Sequence, residues 1–156
     1  MSTKTKTKTA LAIATLAGLA CLFGASDTAH ALRIGGHAAL HDSAHAACTS
    51  LSYAALTNDC GSRVTHTIPL AVESAGSKAL SFRGKGATSD NDVECRGQAM
   101  TDNNSGYWST GWTGMPAFGS VEDVSMGSLY VGDEGAAYMR CKVDDGASLL
   151  SVEWEQ

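Results

Sequence analysis

Residues 136–155, "AAYMRCKVDDGASLLSVEWE", constrain the fold more than any other stretch. In the first half Ala137, Met139, Cys141 and Val143 alternate with Tyr138, Arg140 and Lys142. In the second half Leu150, Val152 and Trp154 alternate with Ser151, Glu153 and Glu155. Apolar residues at every second position belong on a strand with one face against a core, because successive side chains on a strand point to opposite faces. The "DDGAS" between the halves supplies Asp and Gly, which adopt the backbone angles a reversal needs. The stretch therefore predicts two strands joined as a hairpin.

The same period recurs upstream. "VTHTIPLAV" sets Val64, His66, Ile68, Leu70 and Val72 on one face, "KALSF" offers Leu80 and Phe82, and "DVECRG" offers Val93 and Cys95. Pro69 has no N–H to give a ladder, which predicts an edge strand or a bulge there. Short strands separated by Gly, Asn, Asp and Ser loops, with no heptads or repeats, predict an all-β fold. The expected form is an antiparallel β-sandwich or small barrel, as one domain over residues 48–156. Residues 32–47 are rich in Gly, Ala and His and poor in β-formers, and are expected to be a linker or short helix.

Lys4, Lys6 and Lys8 precede an uncharged, mostly apolar run over residues 10–23, and Ala29-His30-Ala31 follows as a small-x-small site. This is the layout of a secretory signal peptide covering residues 1–31. Its apolar run is shorter than the roughly 20 residues that span a bilayer. A lipoprotein signal cut before Cys21 wants an aliphatic residue where Gly18 stands. No other run is long enough to be a transmembrane segment, so a secreted or periplasmic protein is expected. Cleavage removes three lysines and Asp27, taking the net charge from −5 to −7. An acidic chain without a basic cluster is a poor partner for nucleic acid, whose phosphates require clustered Lys and Arg.

Cys48, Cys60, Cys95 and Cys141 remain, an even number that in an oxidising compartment reads as two disulfides. Four cysteines allow three pairings. Cys95 and Cys141 lie on the apolar faces of their strands, while Cys48 and Cys60 flank "SLSYAALTN" and can close its loop, so Cys48–Cys60 with Cys95–Cys141 is the preferred pairing.

Motifs for chemistry are sparse. "HAALHDSAHAAC" spaces His37, His41, His45 and Cys48 along one stripe if helical. That stripe puts His37 and His45 about 12 Å apart along the axis, too far for one ion. A zinc site wants three or four protein ligands, and a disulfide removes the Cys48 thiolate. Ala38 stands where a zinc-protease helix has its glutamate, so the stripe is read as a solvated linker with incidental metal affinity. His66 is expected to be a half-buried strand residue. No G-x-S-x-G elbow, free catalytic thiol or phosphate-binding loop is present, and no cofactor is implied. In "DNDVE", Asp90, Asp92 and Glu94 are candidate calcium ligands, although Cys95 stands where an EF-hand loop needs glycine.

"GYWSTGWTGM" sets Tyr107, Trp108 and Trp112 among Gly, Ser and Thr. Such rings either fold back to cap the end of a sandwich or project to stack on a ligand, with Asp102, Asn103 and Asn104 offering hydrogen bonds nearby. The early cysteine before "LTN", the later "VECRG" and the closing "AAYMRCKV…LLSVEWE" resemble a group of small secreted myxobacterial proteins with four cysteines. The likeness covers most of the chain from Cys48 onward. Such proteins typically show "CP" near the second cysteine, where this chain has Gly61 after Cys60. No activity is assigned to that group, so the resemblance implies fold and export and carries over no catalytic residues.

Three functional readings follow. The first is a non-catalytic binding or cell-surface module for an extracellular glycan or protein. The second is a carbohydrate-binding module working through the aromatic loop over residues 107–112. The third is an extracellular hydrolase using carboxylates and His66. The missing nucleophile and metal motifs favour the non-catalytic readings.

Overall fold

The computed structural model describes residues 31–39, 44–103 and 105–156. Residues 1–30 of the expected signal peptide, with Cys21, and His41 and Asn104 lie outside the described residues. Eleven strands are formed: β1 (Ala31–Gly35), β2 (Thr49–Ser52), β3 (Ala55–Asn58), β4 (Val64–Leu70), β5 (Gly76–Lys85), β6 (Val93–Met100), β7 (Tyr107–Ser109), β8 (Thr113–Gly114), β9 (Val121–Val131), β10 (Ala136–Val143) and β11 (Ser148–Glu155). No α-helix occurs among the described residues. A six-stranded sheet runs β2-β3-β11-β5-β9, with β1 also paired to β11. A five-stranded sheet runs β4-β10-β6-β7, with β8 also paired to β6. Every pairing is antiparallel.

The two sheets face each other across one core. Leu56, Leu80, Phe82, Leu129, Leu149 and Val152 come from the larger sheet; Val64, Ile68, Val93 and Met139 come from the smaller. Two bulges keep long strands facing inward. In β9 the register with β5 slips beside Gly127, whose φ of 77° suits glycine, so Val124, Met126, Leu129 and Val131 are all buried. In β11 a slip between Leu149 and Ser151 puts Leu149, Val152 and Trp154 in the core and leaves Leu150 half-buried. Simple alternation had placed Leu150 inside. Trp154 Nε1 donates to Ala71 O at 2.7 Å, tying the end of β11 to the residue after β4.

Both disulfides form with the expected pairing. Cys95 and Cys141 sit directly opposite each other on β6 and β10, so this bridge joins neighbouring strands. Pro69 lies on β4, an edge strand, as its missing N–H requires. His66 is fully buried, not half-buried, in the row with Cys141 and Cys95.

Two further expectations are corrected. The β10 and β11 strands form no hairpin: β10 pairs with β4 and β6, β11 with β1, β3 and β5, and the turn between them carries the chain from one sheet to the other. Alternation specifies which face is inward but not which strand is the neighbour. The segment read as a linker or helix begins as β1, where Leu32 and Ile34 pack on the core and Arg33 pairs with Glu153 across the ladder. Five residues are too few for alternation to stand out. Gly36 then closes on Leu149, whose carbonyl leaves no room for a Cβ, and short 3-10 turns follow at Gly36–Ala38 and Ala46–Cys48. The described histidines of this segment, His37 and His45, therefore share no helical stripe.

Candidate ligand-binding face

Because Val93, Cys95, Gly97 and Ala99 face the core, alternation turns Glu94, Arg96, Gln98 and Met100 to the outside of the five-stranded sheet. The same logic turns Tyr138, Arg140 and Lys142 outward from β10. Register sets them in rows: Lys142 opposite Glu94, Arg140 opposite Arg96, Tyr138 opposite Gln98. Thr65, Thr67 and Pro69 of β4 continue these rows on the far side.

An interruption at the sheet's other edge brings the aromatic residues to this face. β7 and β8 both pair with β6, and residues 110–112 bridge the gap between them. Thr110 holds the gap closed: its N–H donates to Gly97 O at 3.0 Å, and its Oγ1 accepts from Gly97 N at 2.9 Å. Trp112 then lies against the outward cations, with Lys142 Nζ 3.9 Å and Arg96 Cζ 4.7 Å from its ring centroid. These are cation–π distances. Tyr107, opposite Met100, stands on the same side and is 55% exposed. From Arg96 to Met100 along β6 is about 13 Å at strand rise, so the face is extended.

Charge on this face is uneven. Lys142 reaches Glu94 at 3.4 Å, and Arg63 bonds both Glu94, at 3.0 Å, and Asp144. Arg96 and Arg140 have no carboxylate within ion-pair distance among the described residues. Gln98 is only 3% exposed although it belongs to an outward position. Its Oε1 and the Nε of Arg96 are covered and lack hydrogen-bond partners.

The sequence candidates divide. Tyr107 and Trp112 share the outer face. Trp108 turns inward opposite Ala99, packs on the core and meets Tyr130 of β9 edge-on, centroids 5.1 Å apart. It closes the gap between the sheets. Asn103 Oδ1 accepts from Thr101 Oγ1 at 2.9 Å and Ser105 N at 3.0 Å, and Asp102 Oδ1 accepts from Asn103 N at 2.7 Å, so both serve their own turn.

Asp90, Asp92 and Glu94 do not converge. Asp90 is exposed, Asp92 is buried under its own loop, and Glu94 belongs to the outer-face ion pairs. No group of three His, Cys, Asp or Glu among the described residues has the geometry to hold a metal ion. Tyr138, Arg96, Arg140, Lys142 and Gln98 were not named as candidates, although the alternation of "AAYMRCKV" already set Tyr138, Arg140 and Lys142 opposite the apolar face.

No protein-family model matches the chain, and no curated protein matches it in sequence. Solved structures do match. The C-terminal CBM6 of LamC, a laminarinase from Zobellia galactanivorans, is 12% identical, with a TM-score of 0.51 over 81% of this chain and all of that one. The Podospora anserina GH26-CBM35 β-(1,4)-mannanase is 15% identical, with a TM-score of 0.49 over 81% of this chain and 28% of that one. At such identity the first likeness is one of fold: this chain shares a β-sandwich architecture with that module.

Proposed function

We propose that this protein is a non-catalytic glycan-binding module and that the saccharide lies along the outer face of the five-stranded sheet. The observation that carries this reading is Trp112 laid against that face, with Tyr107 further along it, above rows of polar side chains. Aromatic rings stack on the apolar faces of pyranoses, while side chains such as Gln98, Tyr138 and the arginines hydrogen-bond the hydroxyl rim. Rings on a rigid, disulfide-closed scaffold lose little freedom on binding. The CBM6 of LamC, similar in fold, is by its description a carbohydrate-binding module, which supports the reading. A hydrolase is less well supported: Glu94 and Asp144, the carboxylates of this face, are engaged by cations, and His66 is buried beneath the sheet.

Titration calorimetry against soluble neutral and acidic polysaccharides tests the proposal. Trp112→Ala should weaken binding by about tenfold or more, as for a contact anchor, with a smaller fall in melting temperature than Trp108→Ala, since its ring packs on Arg96 and Lys142 outside the core. Trp108→Ala should do the reverse, lowering stability by roughly 2–3 kcal/mol as a half-buried core ring and leaving affinity intact. Absence of binding to every glycan, or equal behaviour of the two variants, overturns the reading.

A further inference from the structure

We infer that the saccharide is anionic and that its carboxylate or sulfate is held between Arg96 and Arg140; this rests on the glycan-binding reading. Directly opposed residues on antiparallel strands have Cα atoms about 5.5 Å apart or closer. The two side chains therefore leave the sheet from neighbouring positions on one face, and like charges directly opposite across a ladder are destabilising. An internal carboxylate ordinarily relieves such a pair. Here the chain has 16 Asp and Glu against 11 Lys and Arg, yet none of the described carboxylates pairs with these two arginines.

The surplus is local. Arg63, Arg96, Arg140 and Lys142 gather at this face against Glu94 and Asp144, on a protein whose net charge is −5. A positive face on a negative protein selects among anions, because the rest of the surface repels them. Guanidinium groups suit such ligands, since they present planar, forked donors that match carboxylate and sulfate oxygens.

A second observation marks the same place. Gln98, two residues along β6, is 3% exposed with Oε1 unpartnered, and Arg96 Nε is also unpartnered. An unfilled acceptor and an unfilled donor on one face of β6 match a sugar that carries both a hydroxyl and an acidic group. Reaching them requires the covering side chains to shift when the ligand arrives. Trp112, already against Arg96, places a ring face beside the anion site. A pyranose stacked there would present its acidic substituent to the arginines.

The test compares a polyuronate, a sulfated galactan and a neutral β-glucan in titrations at two salt concentrations, with Arg140→Glu and Lys85→Gln. Glutamate at 140 faces Arg96 and supplies the missing carboxylate from within. We expect one acidic polymer to bind at least about tenfold more tightly than the neutral one, and more weakly at high salt. Arg140→Glu should abolish that preference and raise the melting temperature without ligand. Lys85→Gln, on the other sheet, should change nothing. The polyuronate and sulfate arms separate the two sources of the anion. Neutral binding as tight as acidic, or a preference that survives Arg140→Glu, overturns the inference and leaves glycan binding standing. An equal loss in Lys85→Gln reveals diffuse ion exchange and also overturns it. No binding to any polymer overturns both.

Discussion

Asp92 is 1% exposed and takes four hydrogen bonds, on Oδ2 from the N–H groups of Ala87, Thr88 and Ser89 at 2.7, 2.6 and 3.0 Å and on Oδ1 from Ser89 Oγ at 2.6 Å. Burial by itself pushes this carboxyl up, but the Ser89 hydroxyl and the three backbone donors outweigh it and hold the pKa at about 2. A carboxylate depressed in the folded state stabilises fully above its unfolded pKa and loses that contribution as pH falls through the folded value. Stability should therefore drop by about 2 kcal/mol between roughly pH 4 and pH 2. Asp92→Asn should flatten that part of the profile and be less stable at pH 7 by roughly 2–3 kcal/mol, since charge-assisted bonds are lost. Urea unfolding across the pH range measures both; an unchanged profile would show that the loop is held otherwise. In the sequence "DNDVE" looked like a set of oxygen ligands for a cation. A carboxylate that binds metal and one that anchors a loop are the same letter, and only the surrounding N–H groups tell them apart. Trp108 and Trp112 were equally alike on paper. Trp108 lies on β7 and Trp112 in the break before β8, and the break sends one inward and the other across the sheet.

Strand existence was legible where a short run alternated cleanly, as in β4, β5, β6 and β10, because burial on one face is written directly into that pattern. Pairing was not legible. "DDGAS" has the chemistry of a reversal, yet it joins two sheets, since a sandwich rewards an inward face whichever sheet supplies it. Bulges in β9 and β11 were hidden for a related reason: a one-residue slip mimics an irregular pattern. The cysteine pairing was legible because strand face and loop position pointed the same way. Cys95 and Cys141 are 0% exposed on the inner face, whereas Cys48 and Cys60 are half-buried. Thiol–disulfide exchange needs access to a sulfur, so mild reduction of the folded protein should open Cys48–Cys60 alone. Mass mapping after alkylation would find label at positions 48 and 60, with 95 and 141 labelled only after denaturation; the opposite order would contradict the burial. From loop lengths of 12 and 46 residues, the bridges contribute about 3 and about 4 kcal/mol in the chain-entropy account. Two closed bridges also fit an oxidising compartment.

At the scale of the molecule, no described helix is long and apolar enough to cross a membrane, and the sandwich presents two outward sheet faces of different character. The charged and aromatic face belongs to the five-stranded sheet. The six-stranded sheet carries β1 beside β11, with Ala31 opposite Glu155, so the first and last strands lie side by side. Joining their ends by a short glycine-rich linker and opening the chain at the exposed Ser52–Tyr53 turn should give a circular permutant that folds and melts cooperatively, since no ladder except β2–β3 is touched. Failure of that permutant to fold would show that the β2–β3 turn is needed for assembly. The deeper consequence of the β1–β11 pairing concerns reach. A polypeptide entering before β1 and leaving after β11 does so from one place on the sheet opposite the candidate face. Whatever is joined at those ends therefore leaves the outer face of the five-stranded sheet unobstructed, like a palm turned away from its wrist.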